Sequence, residues 1–149
     1  MITVVIYGLD QFVVGRLSRE MTPNLAKLYE LSEDEILFVA PNDMVFHKGV
    51  EQTSWNIIVH VHAPKKVSVL QDQVAELILE SIGDVAINKV LEFYYYSEDN
   101  RYCKINNAYP RFITADNLVD VAEQDYEDKE EGDGDDDIYT GDIFQDFHG

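Results

Sequence analysis

Ile2-Thr3-Val4-Val5-Ile6-Tyr7-Gly8 opens the chain as an unbroken β-branched and apolar run closed by a glycine. A run of this kind, without polar alternation, is the pattern of a strand buried on both faces inside a sheet. The next stretch sets the architecture. From Asp10 to Leu31 the apolar residues Val13, Leu17, Met21, Leu25 and Leu28 fall three or four apart, which predicts a helix with one stripe against a core and Asp10 as its N-cap. Pro23 must kink this helix or begin a second one capped by Thr22, because proline lacks a backbone donor and clashes with the preceding turn.

Ser32-Glu33-Asp34-Glu35 leads into a short strand, Ile36 to Ala40, stopped by Pro41-Asn42. Residues 41–53 read as a loop in which Met44-Val45-Phe46 could pair as an edge strand. Trp55 to His62 is the third main strand, ended by Pro64-Lys65-Lys66. Val67, Leu70, Val74, Leu77, Ile78 and Ile82 then mark a second amphipathic helix that Gly83 terminates. Asn88 to Tyr96 is the fourth strand, Ser97 to Asn100 a turn, and Arg101 to Ile105 a possible hairpin arm, with Pro110 near the end of the packed body. The order strand, helix, strand therefore occurs twice. Each β-α-β crossover makes its two strands parallel, so the chain is α/β (α+β): a four-stranded sheet with both helices on one face and the other face uncovered. Ile58 and several tyrosines lie on that second face, which should be buried by association or by the tail.

Composition limits what such a body can do. The 149 residues carry 11 Lys+Arg against 29 Asp+Glu, a net charge of -18. Residues 1–115 account for -5 and residues 116–149 for -13, so the acidity belongs mostly to the tail. No cluster of cations exists to face phosphates, which argues against a nucleic-acid partner. One cysteine, Cys103, excludes an intrachain disulfide and a cysteine-rich zinc site, and reads as a buried small hydrophobe. The N-terminus shows no basic region or cleavage site and no apolar run approaches a membrane span, so the expectation is a soluble cytoplasmic protein with no membrane partner. There is no glycine-rich phosphate loop, no nucleophile elbow and no dinucleotide fingerprint, and no cofactor is expected.

The opening Met1-Ile-Thr-Val-Val-Ile-Tyr-Gly-Leu9, the helix spacings and the late stretch Tyr94-Tyr-Tyr-Ser-Glu-Asp-Asn-Arg-Tyr102 together resemble the tautomerase superfamily, that of 4-oxalocrotonate tautomerase and macrophage migration inhibitory factor. The pattern is most similar to an uncharacterised bacterial branch with the same two-unit layout, and the resemblance covers about residues 1–107. It implies a homotrimer whose sheets enclose a channel, which would cover the bare face. It also implies a catalytic amino-terminal proline acting as general base beside a carbonyl. This chain departs there. Ile2 follows Met1, and a bulky second residue should leave Met1 in place, so the available base is a primary amine. Simpler members also place an arginine just after the first strand, where this chain has Gly8, Leu9, Asp10 and Gln11.

The remaining candidates are Met1, Arg101 and Tyr102 for catalysis and His60 and His62 for a metal. Strand alternation puts both histidines on one face with Asn56 and Ile58, while Trp55, Ile57, Val59 and Val61 face the helices. Two imidazoles at i and i+2 can chelate one ion. The plainer reading is two half-exposed histidines bonded to polar neighbours, and no bound metal is expected. His47 lies in a loop facing solvent. Arg101 and Lys104, beside Tyr95, Tyr96 and Tyr102, form the best anion-binding group.

The acidic run Glu123 to Asp137 repels itself too strongly for a packed core and should be disordered or extended. Asp133, Asp135 and Asp137 imitate the start of a calcium loop, which then fails at Ile138 and Phe144. Aromatic and apolar residues return over 138–147, a segment able to dock on a protein partner. The domains are then 1–112, tautomerase-like, and 113–149, an acidic extension. The function expected is a non-catalytic, tautomerase-like binding or assembly protein; the alternative is an atypical tautomerase or isomerase acting on a small carbonyl acid. An enzyme needs Met1, Arg101 or Lys104, and a tyrosine to converge on one pocket.

Overall fold

The computed structural model describes residues 1–115. A first compact unit spans Met1–Cys103 and a second begins at Lys104. In the first unit, the continuous apolar run becomes β1, Ile2–Tyr7. Asp10 then caps α1, Gln11–Tyr29, its carboxylate accepting the Phe12 N–H at 2.8 Å. At the far end Glu30 turns left-handed (φ 56°) and Leu31 N–H closes back on the Ala26 carbonyl at 2.9 Å, leaving the chain free to start β2, Ile36–Val39.

Pro23 neither ends α1 nor starts a new helix. The proline lies on the exposed face, where solvent can take the carbonyl left without its partner. Thr22 is no cap. It sits inside the helix, with its hydroxyl donating to the Ser18 carbonyl at 2.6 Å. The buried stripe keeps the expected Leu17, Met21 and Leu25 and adds Val14, Ala26 and Tyr29, while the expected Val13 and Leu28 lie half-buried at its margin.

After β2 comes a two-stranded hairpin, β3 (Phe46–His47) and β4 (Val50–Glu51). Lys48 and Gly49, with φ of 48° and 80°, form the turn, and positive φ at both positions matches the twist of a tight hairpin. Of the expected edge strand, Phe46 pairs with Glu51 and the Val45 carbonyl accepts the Gln52 N–H at 2.8 Å, both across this hairpin instead of to the main sheet. His47 belongs to this hairpin and is exposed.

β5 runs Asn56–Pro64, a short and more tightly wound helical stretch occupies Lys65–Leu70, and α2 is Gln71–Ile82. Val67 and Leu70 thus precede the second helix, and Gly83 ends it as expected. β6 is Asn88–Tyr96. Trp55, expected to face the helices, is 59% exposed, because it lies in the turn before β5, where strand alternation has not begun. Residues 101–105 form no return strand. With no hairpin arm to bury it, Cys103 is exposed and not the small core residue expected.

The sheet order is β2-β1-β5-β6, with β1 parallel to β2, β5 parallel to β6, and β1 antiparallel to β5. Two β-α-β units are therefore joined along their first strands. Ile2, Val4 and Ile6 of β1 and Ile57, Val59, Val61 and Ala63 of β5 pack with Leu17, Met21 and Leu25 of α1 and Val74, Ile78 and Ile82 of α2 in one core. Full burial of each such side chain contributes about 1.5–3 kcal/mol, so the paired helix and sheet faces dominate stability. The face away from the helices keeps Leu37, Val39, Val90 and Tyr94 at 37, 42, 52 and 43% exposure. In the second unit, Ala108 N–H donates to Asn106 Oδ1 at 3.0 Å, and the Arg111 guanidinium stands 5.3 Å from the centre of the Phe112 ring. The expected acidic run and the 138–147 segment lie outside the described residues.

Gly8 ends β1 at φ 92°, and a Cβ there would sit 3.0 Å from the Asn56 carbonyl oxygen. Gly8→Ala should therefore lower unfolding free energy by about 1–3 kcal/mol, from left-handed strain plus a contact with backbone that cannot rotate away. Urea unfolding of the two proteins measures it, and an unchanged midpoint would contradict the close approach.

Candidate functional site

The register of the sheet decides what surrounds the first residue. Ile2 pairs with Ile36 in parallel, so the residues preceding both strands, Met1 and Glu35, lie side by side. The Met1 ammonium and the Glu35 carboxylate form an ion pair at 3.2 Å. On the other side Thr3 pairs with His62 and Pro64 with Tyr96, which brings the end of β6 to the start of β1. Tyr96 O–H donates to the Met1 carbonyl oxygen at 2.6 Å, and the Met1 amine lies 3.4 Å from the same phenol oxygen. Arg101, just past β6, reaches back so that its Nη2 contacts Met1 Sδ at 3.3 Å.

These groups line a cleft of about 440 Å³ whose walls include Pro64, Lys66, Val67 and Glu98. Lys66 Nζ and Glu98 Oε1 are paired at 2.6 Å on its rim. The Lys66 hydrogen bond, then its charge, holds the Glu98 carboxyl below its ordinary value, and the same contact raises Lys66. Burial pushes the Tyr96 phenol up, against a smaller opposing effect of Arg101, so it remains a neutral donor at physiological pH. Of the three cations in the cleft, Met1 and Lys66 each have a carboxylate. Arg101 makes no ion pair among the described residues. Its guanidinium is the group an incoming carboxylate would meet.

The sequence candidates divide accordingly. Met1 and Arg101 come together, with Tyr96 as the tyrosine. Tyr102 is 94% exposed and lines no part of the cleft. Tyr95 points to the helix side, where its hydroxyl donates to Gln71 Oε1 at 2.8 Å. Lys104 falls in the second unit. Asp10, in the stretch where the family resemblance implied an arginine, is occupied as the cap of α1 and lies outside the cleft. Glu35, Lys66 and Glu98 were not picked out in the sequence. Glu35 had a usable signal, since parallel pairing of the first two strands puts the residue before the second beside the residue before the first.

His60 and His62 do share the bare face. Tyr94 stacks on His62 at 5.2 Å between ring centres and meets His60 edge-on at 4.9 Å, and Tyr7 meets His60 at 5.1 Å. Glu92 accepts the Tyr94 O–H at 2.6 Å and lies 3.8 Å from His60 Nε2, an ion pair only when His60 is protonated. That hydrogen bond, with smaller effects from desolvation and from the Glu92 and Tyr7 charges, raises the Tyr94 phenol. Among the described residues no group of three or more His, Cys, Asp or Glu side chains is arranged to hold a metal ion, and no helix is long and apolar enough to cross a membrane.

No family model matches the sequence, and no curated protein matches it significantly. Solved structures do match. A Sebaldella termitidis protein described as a domain of unknown function (DUF1904) aligns with a TM-score of 0.62 at 18% identity, over 68% of this chain and 94% of that one. A macrophage migration inhibitory factor-like protein from Entamoeba histolytica gives 0.53 at 9% identity, over 69% and 93%. The FG41 malonate semialdehyde decarboxylase, inhibited by 3-bromopropiolate, gives 0.51 at 11% identity, over 72% and 92%. The fold is that of the tautomerase superfamily.

The rim pair supplies a test by pH. Because the folded value of Glu98 is depressed, whatever the pair contributes is complete above the ordinary glutamate range and is lost as pH falls through the lower, folded value. Carbon-detected NMR titration should find Glu98 titrating below a free glutamate, and Lys66→Met should move it back up. An unmoved midpoint in Lys66→Met would show that the pair does not form.

Proposed function

We propose that the chain is a tautomerase-fold binding protein whose N-terminal cleft takes a small carboxylate, an oxo acid in particular, without working as a base of the family's usual type. One observation carries this reading: the 3.2 Å ion pair between the Met1 ammonium and Glu35. A general base must offer its nitrogen to a carbon acid, and here the Met1 nitrogen is engaged by the Glu35 carboxylate at 3.2 Å. The same carboxylate leaves Arg101 as the cation available to a ligand. The second reading, an atypical tautomerase or isomerase, is favoured by the convergence of Met1, Arg101 and Tyr96 on one cleft, the arrangement required of an enzyme.

Assembly belongs to the proposal. The exposed Leu37, Val39, Val90 and Tyr94 on the helix-free face suit burial against further copies, as a homotrimer. The acidic-aromatic segment 138–147 is proposed as a docking element for a protein partner, so deleting residues 116–149 should abolish partner capture and leave the melting temperature of the body in place.

Calorimetry with pyruvate and its hydroxy analogue lactate, together with a ketonisation assay on a panel of enol acids, separates the two readings. The binding reading expects both acids to bind, Arg101→Gln to weaken them by about tenfold from loss of a charge-assisted pair, and no ketonisation above background. Ketonisation that disappears when Met1 is blocked would establish the enzyme instead.

A further inference from the structure

We propose that contact between copies through the helix-free face of the sheet is coupled to proton uptake: each copy that buries this face takes one proton at His60, and the imidazolium neutralises Glu92. The inference rests on reading that face as the contact between copies, and it adds what controls the contact. Strand register limits the charges involved.

The groups on this face able to carry charge are Tyr7 from β1, His60 and His62 from β5, and Glu92 and Tyr94 from β6, while β2 brings only apolar residues. Phenols as a class ionise only near pH ~10, and Tyr94 is further held in its protonated form by donating to Glu92 at 2.6 Å. Between about pH 6 and 8 the carboxylate is therefore the one fixed charge, and the two imidazoles are the groups that can change. His60 stands over that acid, its Nε2 3.8 Å from Glu92 Oε2, with Tyr7 and Tyr94 edge-on to its ring at 5.1 and 4.9 Å. His62 stacks on Tyr94 at 5.2 Å and makes no ion pair among the described residues. Only His60 has a carboxylate to answer.

In a single copy the Glu92 side chain is 49% exposed, so water solvates its charge. Covering the face with further copies removes that water, and the hydrogen bond from Tyr94 does not cancel the charge left behind. Symmetry adds to the cost, because identical faces bring like charges together. A solvent proton on the ring nitrogen of His60 turns the 3.8 Å contact into an ion pair of zero net charge. Imidazole is the side chain that takes such a proton near neutral pH. Since association then binds a proton, it strengthens as pH falls through the imidazole range and weakens as pH rises. The apolar Leu37, Val39 and Val90 on the same face are buried at either pH, so the proton tunes the contact and does not create it.

Sedimentation equilibrium of the full chain at about pH 8 and about pH 6, at one ionic strength, reads the association constant. It should rise by at least about tenfold at the lower pH, the effect of one linked proton over one pH unit. Glu92→Gln removes the charge that needs the proton, so it should associate at pH 8 as tightly as the unaltered chain does at pH 6 and respond to pH by less than about twofold. His60→Gln should associate weakly at both, and His47→Gln, on the exposed hairpin, should keep the full response. Where copies do not separate on dilution, the urea midpoint of dissociation at the two pH values makes the same comparison. An oligomer indifferent to pH, or a Glu92→Gln protein with the full response, overturns the proton coupling and leaves assembly standing. A chain that stays monomeric throughout overturns both. If His60→Gln fails to fold, Glu92→Gln decides alone, since it alters an exposed side chain and keeps an acceptor oxygen for Tyr94.

Discussion

The structure depends on one burial constraint: β1 has to place Ile2, Val4 and Ile6 under two helices while lying between β2 and β5. A strand in that position has both edges paired and one face sealed, so it cannot slip in register without moving its apolar set to the wrong face. Met1 directly precedes this strand, so its backbone is placed by the strand's pairing. Chain ends are ordinarily frayed. Here the end is anchored by the core, by the Tyr96 hydroxyl at 2.6 Å and by Glu35 at 3.2 Å.

The residues at the cleft differ from those the family resemblance implies, with Met1 and Ile2 where a proline was expected. The arginine expected after the first strand is replaced by a helix cap, and Arg101 arrives from past the end of β6 instead. A cation is therefore present at the cleft by a different route. The bare face of the sheet is the other consequence of having both helices on one side. Its histidines and tyrosines stack on one another within a single copy.

Periodicity made the body legible. β1, α1 with its Asp10 cap, and β6 follow from apolar spacing and capping chemistry, because each buries one face against the same core. Local signals failed where context outweighed them. Pro23 looked like a break but lies on the solvent face of a helix held by Met21 and Leu25 on either side. Lys48-Gly49 hid a hairpin because lysine rarely takes positive φ. Trp55 and Cys103 were assigned by residue type, and both fall just outside an element, where residue type has little hold. The cleft was half legible. Met1 and Arg101 were visible as chemistry, whereas Glu35, Lys66 and Glu98 enter only through cross-strand register, which no single stretch of sequence encodes.

The central claim is that the cleft where the start of β1 meets the end of β6 is a carboxylate site, with Arg101 beside Met1. Adding one glycine before Met1 tests it most directly, because an extended residue moves the amine by about 3.3–3.6 Å and leaves every core side chain untouched. The account predicts an unchanged melting temperature with pyruvate binding lost by calorimetry. Binding retained at full strength by the extended chain would contradict it.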